Sequence, residues 1–254
     1  AHAARLLFGW ARATLRIQVL AGPRWVPGIS TLADVRRLGP DAPFEPAPPR
    51  PEDTAAILFT SGSTGPPKGA VYTHGNFAAQ VDLLGRHFGI EPGEIDLPTF
   101  PLFALFDPAL GMTAVIAEMD FTRPGSVNPE NILGPIQRFR VTHMFGSPAL
   151  LDRVGRFGES RGIRLDSLRR VVSAGAPVPP KVLERFAKLL APGVDIHTPY
   201  GATESLPVTS IASREVLSET RAATAEGKGV CVGKPMPGVE VRIIGISDSP
   251  IPEW

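Results

Sequence analysis

Residues 57–74 read ILFTSGSTGPPKGAVYTH. Ile57, Leu58 and Phe59 are apolar and strand-like, and residues 70–73 read as a second short strand. Between them, residues 60–68 hold hydroxyls, glycines, prolines and one lysine. Closely spaced glycines let successive backbone N–H groups turn toward one point, which makes a nest for an anion. Ser61, Ser63 and Thr64 add hydroxyl donors, and Lys68 adds a positive charge on a long stem. The stretch is not the common P-loop, because Pro67 precedes Lys68 and Gly69 follows it, where that motif places Gly and then Ser or Thr. An ordinary Gly/Ser/Pro-rich surface turn is the competing reading. The ordered run of hydroxyls, glycines and a terminal lysine between two apolar strands favours phosphate.

Outward from this loop the chain alternates. Upstream, residues 2–15 carry an amphipathic helical pattern, 16–20 a strand pattern and 31–38 a short helix. Residues 41–53 (DAPFEPAPPRPED) are proline-dense and acidic and read as an extended linker. Downstream, the spacing predicts helices over 76–88, 103–116, 131–140, 148–157 and 180–190. Strands are predicted over 95–100, 141–145, 168–173 and 194–198. Alternation of this kind implies an α/β fold of parallel sheets flanked by helices. In such sheets ligands sit beyond the carboxyl ends of the strands, so turns that follow strands carry the information.

Two such turns contain chemistry. Residues 173–177 (SAGAP) place Gly175 where the backbone can approach a flat ligand edge, and Pro177 stiffens the exit. Taken alone this reads more readily as a plain strand-to-helix turn than as a site. Residues 198–205 (TPYGATES) offer the aromatic face of Tyr200, the missing side chain of Gly201, the hydroxyl of Thr203 and the carboxylate of Glu204. Magnesium with phosphates is commonly held by one or two protein carboxylates, which suits Glu204. A solvated turn is the alternative, and the phosphate loop in the same chain argues for function.

Bulk properties narrow the class. Of 254 residues, 43% are hydrophobic and 20% charged, which is ordinary for a folded globular protein. The net charge of +1 excludes broad attraction to nucleic acid or an anionic membrane. Cys231 is the single cysteine, which rules out an internal disulfide and fits a reducing, cytoplasmic setting. No apolar run reaches the roughly 18 residues of a membrane helix.

The three stretches TSGSTGPPKG, SAGAP and YGATE, in this order and spacing, resemble the adenylate-forming enzymes: acyl-CoA synthetases, firefly luciferases and nonribosomal-peptide adenylation domains. Residues 229–243 (GVCVGKPMPGVEVRI) resemble that family's next stretch. The resemblance implies a large N-terminal α/β domain of helix-flanked, mostly parallel sheets with the start of a small β-barrel subdomain. It implies that Thr60, Ser61, Gly62, Ser63, Thr64, Gly65 and Lys68 wrap the β- and γ-phosphates of ATP. Gly175, Ala176 and Pro177 would line the adenine site, with Tyr200 stacked on the ring beside Gly201 and Ala202. Thr203 would bond the α-phosphate, and Glu204 would ligate Mg²⁺. The implied reaction is attack of a carboxylate on the α-phosphorus, giving an acyl-adenylate and pyrophosphate. The family's ribose-binding aspartate, hinge and mobile C-terminal domain are expected beyond residue 254, and its earliest N-terminal part before residue 1. The segment alone is therefore expected to bind ATP weakly and adenylate poorly.

Two apolar stretches are candidates for the acyl pocket. Residues 100–111 (FPLFALFDPALG) carry Phe103 and Phe106, with Ala104 where many acyl-CoA synthetases have histidine. Residues 141–151 (VTHMFGSPALL) bring Phe145, Gly146 and Ser147 to the pocket floor. Pocket and core are both open readings for Phe103 and Phe106. His143, in an apolar strand, reads as a hydrogen-bonded core residue rather than a base. The lack of polar anchors fits a long alkyl acid better than an amino acid. Within the family, these stretches are most similar to the β-lactone synthetases of bacterial long-chain olefin biosynthesis. That likeness implies a 2-alkyl-3-hydroxyalkanoic acid whose own 3-hydroxyl displaces AMP, and contact with other enzymes of that pathway. A long-chain fatty acyl-CoA ligase, or a nucleotide-binding scaffold without turnover, are the alternatives.

Overall fold

The computed structural model describes residues 7–9, 13–24, 28–39, 45–60 and 67–246. The chain divides into two compact units, Ala1–Pro48 and Pro49–Trp254, and the division falls between two prolines of the segment 41–53. In the first unit, β1 (Val19–Leu20) and β2 (Ser30–Thr31) pair in parallel, and α1 (Leu32–Leu38) follows. Thr31 caps α1 by accepting from the Asp34 N–H, while Asp34 accepts from the Thr31 N–H. The helix predicted over 2–15 lies largely outside the described residues, of which only Leu7 and Phe8 are helical.

The second unit opens with the hairpin that frames the glycine-rich loop. β3 (Thr54–Thr60) and β4 (Lys68–Thr73) run antiparallel, with Leu58 opposite Ala70 and Thr60 opposite Lys68. Side chains alternate across a strand, so Thr60, Leu58 and Ala56 share a face with Lys68, Ala70 and Tyr72. Ile57, Phe59 and Val71 point the other way and are exposed. Helix α2 (His74–Phe88) starts at Thr73, whose hydroxyl accepts from the Asn76 N–H as Asn76 accepts from the Thr73 N–H. It stops at Gly89, which takes the left-handed conformation (φ 58°).

A seven-stranded mixed sheet forms the centre, in the order β11-β10-β9-β8-β7-β5-β6. Its strands are β5 (Ile95–Pro98), β6 (Thr113–Ala114), β7 (His143–Phe145), β8 (Arg170–Val172), β9 (Ile196–Ala202), β10 (Ser205–Ala212) and β11 (Lys234–Pro235). From β6 to β9 all neighbours are parallel; β10 and β11 then add two antiparallel pairs. Register pairs Leu97, Met144, Val171 and Ile196 in one row, all fully buried. That face packs on α4 (Glu130–Phe139), α5 (Pro148–Ser160) and α6 (Pro180–Ala187) through Ile132, Ile136, Leu150, Val154, Leu183 and Phe186. Each such side chain contributes about 1.5–3 kcal/mol by leaving water.

The opposite face is polar at one level, where Asp96, His143 and Arg170 form a buried row. Arg170 donates to both Glu94 oxygens at 2.6 and 3.0 Å and to the Gly89 carbonyl at 2.9 Å. Glu94 also accepts from the Thr142 hydroxyl and the Glu91 N–H. Burial pushes the Glu94 carboxyl up, but these donors, led by Arg170, hold it below the usual carboxylate range. His143 is held down to about 3 by burial and then by the Arg170 charge, so it is neutral. Its Nδ1 has no hydrogen-bond partner, which corrects the expectation of a hydrogen-bonded core histidine.

Three further expectations change. The helix predicted over 103–116 is instead a 3₁₀ turn (Phe103–Leu105), a short helix α3 (Asp107–Leu110) and strand β6. Gly111 ends it at φ 72°, and a Cβ there would come within 2.9 Å of Pro92, so no helix continues. Strand β9 runs on to Ala202, and β10, unforeseen, folds back on it. Beyond His197, β9 pairs with β10 alone, and Pro199 is tolerated on that free edge. Among the described residues, the stretch after Ala225 supplies only β11, with no barrel strands. No helix among them is long and apolar enough to cross a membrane.

Candidate nucleotide and acyl site

Parallel strands present all their carboxyl ends at one edge. Register aligns Pro98, Phe145, Val172 and His197 in a single row, so the segments that follow them emerge together. These are the Phe100–Phe103 turn, Gly146–Ser147, the SAGAP turn and the outer half of β9. This is where an open α/β sheet binds ligands.

The SAGAP turn leaves β8 at Ser173, whose N–H donates to the His197 carbonyl at 2.9 Å. Gly175 has φ 92°, a conformation that side-chain-bearing residues rarely adopt, and nothing lies within 4 Å of where a Cβ would stand. Gly175, Ala176 and Pro177 are exposed, so backbone is presented to solvent at this edge. Ser173 is fully buried and its hydroxyl has no partner.

Thr203 and Glu204 are the two residues of the β9–β10 hairpin turn, closed by the pair Ala202 and Ser205. The register shifts between Ser205 and Thr209, and this irregularity crowds Gly201. A Cβ on Gly201 would lie 2.8 Å from the Ser205 carbonyl oxygen and 2.9 Å from Leu206 Cβ. Gly201 is thus required by the hairpin itself, whereas the sequence reading gave its missing side chain to the ligand. Tyr200 and Ala202 stand on β9, and Tyr200 is 56% exposed, open to a planar partner. The Glu204 carboxylate is exposed, and no ion pair among the described residues engages it.

One long-range hydrogen bond binds this turn to the hairpin of the glycine-rich loop, and a second binds the adjoining start of β10 to helix α2. The Tyr72 hydroxyl donates to the Thr203 carbonyl at 2.5 Å, and Gln80 Nε2 donates to the Leu206 carbonyl at 2.8 Å. Tyr72 is buried against Phe77, with ring centres 5.2 Å apart. Thr60 and Lys68 close the loop as the last pair of β3 and β4, where the Thr60 hydroxyl lies 3.4 Å from the Lys68 carbonyl. Lys68 is exposed and shares the inward face with Tyr72. Ser61, Gly62, Ser63, Thr64 and Gly65 lie outside the described residues.

The proposed acyl residues separate into two aromatic groups. Phe103 stands edge-on to Phe145 at 4.6 Å and to Phe100 at 5.1 Å, at the carboxyl edge of β5 and β7. Phe106 instead faces Phe77 at 6.0 Å, next to Tyr72. Both Phe103 and Phe106 are half-buried. Ser147 caps α5, accepting from the Leu150 N–H, so its hydroxyl is committed to the helix. A Cβ on Gly146 would press on Leu151 and Leu150 at 3.0 and 3.1 Å, so Gly146 packs on the core side.

Sequence reading missed Tyr72, Gln80 and the buried pair Asp96 and Asp107. Gln80 had a visible signal: it interrupts the inward stripe Phe77, Val81, Leu84 of α2. Asp107 had one too, an acid inside an aromatic run.

The donor set suits a magnesium nucleotide. Among the described residues it offers a lysine and a carboxylate without ion-pair partners, a hydroxyl adjacent to that carboxylate, an exposed aromatic face and an open glycine turn. Among the described residues no group of three or more metal-ligating side chains exists, so a metal here would need ligand phosphates to complete its shell.

The sequence profile of the AMP-binding enzyme family matches residues 12–254. The chain is 51% identical over 254 residues to an olefin beta-lactone synthetase of Stenotrophomonas maltophilia, and 49% identical over 254 residues to one of Xanthomonas campestris pv. campestris. Each alignment covers 100% of this chain and 45% of the relative, so the chain spans about half the length of these relatives. Among solved structures, the amide bond synthetase McbA from Marinactinospora thermotolerans superposes with a TM-score of 0.75 at 27% identity, covering 98% of this chain and 47% of that one.

Proposed function

This chain belongs to the AMP-binding enzyme family, and from that premise we propose that it forms the nucleotide-binding part of an enzyme that activates a long-chain carboxylic acid with ATP. The acid's carboxylate oxygen attacks the α-phosphorus, the bond to the bridging oxygen of pyrophosphate breaks, and an acyl-adenylate results. With a 2-alkyl-3-hydroxyalkanoic acid, the 3-hydroxyl oxygen then attacks the acyl carbon. The C–O bond to AMP breaks, the hydroxyl proton is lost to solvent, and a four-membered β-lactone closes. The names of the two relatives near 50% identity support this second step.

The observation that carries the reading is the joining, at the carboxyl edge of the sheet, of the Thr203–Glu204 turn to the Lys68 hairpin. Each residue has a role that its chemistry allows. Lys68 and the loop N–H groups neutralise the leaving phosphates. The Thr203 hydroxyl donates to the α-phosphate. Tyr200 and the open Gly175 turn orient the adenine. Phe103 and Phe145 hold the alkyl chain and keep water from the acyl carbon. Mg²⁺, held by Glu204 together with phosphate oxygens, would add charge stabilisation. Acceleration then comes from positioning and charge neutralisation. An ATP-consuming reaction in a chain with one exposed thiol fits a cytoplasmic setting.

Acid-dependent exchange of pyrophosphate into ATP tests the proposal on the full-length gene product. The wild type should exchange only with acid and Mg²⁺ present, and Glu204→Gln should lower the rate by about 100-fold. Exchange that ignores Glu204→Gln, or none in the wild type, rejects it.

A further inference from the structure

We propose that Tyr72 and Gln80 are positioning residues that tie the phosphate-contacting turn to the Lys68 hairpin, an inference that rests on the function proposed above. The Thr203 and Leu206 carbonyls bracket Glu204, and both are held from outside the β9–β10 hairpin. The donors stand on two consecutive elements, β4 and α2. Tyr72 follows Lys68 by four residues on the same strand face, about 13 Å along the strand. A rigid path therefore runs from the lysine to the turn. A two-residue turn at an exposed strand edge has little packing of its own, and hydrogen bonds, being directional, fix its orientation as apolar contact does not.

The chemistry of Gln80 points to positioning rather than stability. Its Nε2 donates to Leu206, while its Oε1 is buried without a partner. The carbonyl acceptor fixes this amide orientation, because a flipped amide would set two acceptors together. One net hydrogen bond and one buried orphan roughly cancel, so a methionine of similar length would fold as well. Glutamine on an otherwise apolar helix stripe is explained by what it holds.

The test uses Tyr72→Phe, which keeps the ring against Phe77, Gln80→Met, and the double variant, all in the full-length gene product. In acid-dependent exchange, each single variant should raise the Mg²⁺ concentration for half-maximal rate by about 3- to 10-fold, with KM for the acid unchanged. Gln80→Met should leave the thermal midpoint unchanged. Hydrogen–deuterium exchange of residues 203–208, without nucleotide, should speed up about 10-fold in the double variant. Lower thermal midpoints with unchanged Mg²⁺ half-saturation overturn the inference and leave the function standing. Should the wild type lack acid-dependent exchange, the function fails and deuterium uptake alone decides: unchanged uptake overturns the tether.

Discussion

Asp96, on β5, and Asp107, the first residue of α3, are both buried with their carboxyls close enough to interact, and Asp96 Oδ1 and Asp107 Oδ2 have no hydrogen-bond partner among the described residues. Burial, then the neighbouring Asp107 carboxyl, pushes Asp96 up to about 8, and burial pushes Asp107 up to about 6. The pair thus keeps a proton at neutral pH. Asp96 faces neutral His143, and Arg170 is close enough to oppose its rise only weakly. In the unfolded chain both acids ionise near 3.8. A folded state that keeps a proton the unfolded state has lost becomes less stable as pH rises, by about 1.4 kcal/mol per pH unit and proton. The contribution is fully present below about pH 4 and is lost as pH rises through about 8. Asp96→Asn keeps the shape and an N–H donor toward Asp107 and carries no titrating proton. Between pH 5 and pH 7 its stability relative to wild type should therefore rise by about 2.7 kcal/mol, or roughly 5–10 °C in midpoint for a chain of this size. Urea unfolding followed by far-UV circular dichroism at half-unit pH steps measures that difference, and groups that do not interact with Asp96 cancel from it. A stability difference flat across pH 5–7 would refute the shared proton.

Three more outcomes follow from the packing. Arg170→Met leaves Glu94 buried without its main partner and should cost about 3–5 kcal/mol in urea unfolding, whereas replacing Arg170 and Glu94 together with apolar residues should recover most of it. Gly201→Ala pushes a methyl to 2.8 Å from a backbone oxygen, so the β9–β10 hairpin must open; both the thermal midpoint and acid-dependent exchange should fall. Phe103→Ala empties space beside Phe145, and each extra methylene accommodated there is worth about 0.8 kcal/mol. Acids two methylenes longer should then gain about tenfold in relative kcat/KM, read by competition between chain lengths.

Where local signals act alone, the fold was legible in the chain. The helical spacing over 76–88 found α2, which begins two residues earlier at His74, and apolar runs marked β5, β7 and β8. The helix over 103–116 failed because Gly111 closes on Pro92, a contact between segments that periodicity does not encode. The length of β9 was hidden because Pro199 and Gly201 read as breakers. One sits on a free edge, and the other serves an irregular neighbour. Of the candidate site, the chemistry-bearing residues were readable and their assembly was not. Nothing in the spacing of Tyr72 and Thr203, 131 positions apart, announces their hydrogen bond. Ser147 illustrates the converse: its place before Pro148 fits a helix cap as well as a pocket, and the fold chose the cap.

The most direct test of acid activation and ring closure is the product formed by the full-length gene product from a 2-alkyl-3-hydroxyalkanoic acid, ATP and Mg²⁺ without CoA. The account predicts AMP and pyrophosphate in equal amounts, with a product lighter than the acid by one water and carrying the strained-ring carbonyl stretch of a β-lactone. Release of ADP and phosphate, or turnover only when CoA is added with a thioester as product, would contradict it.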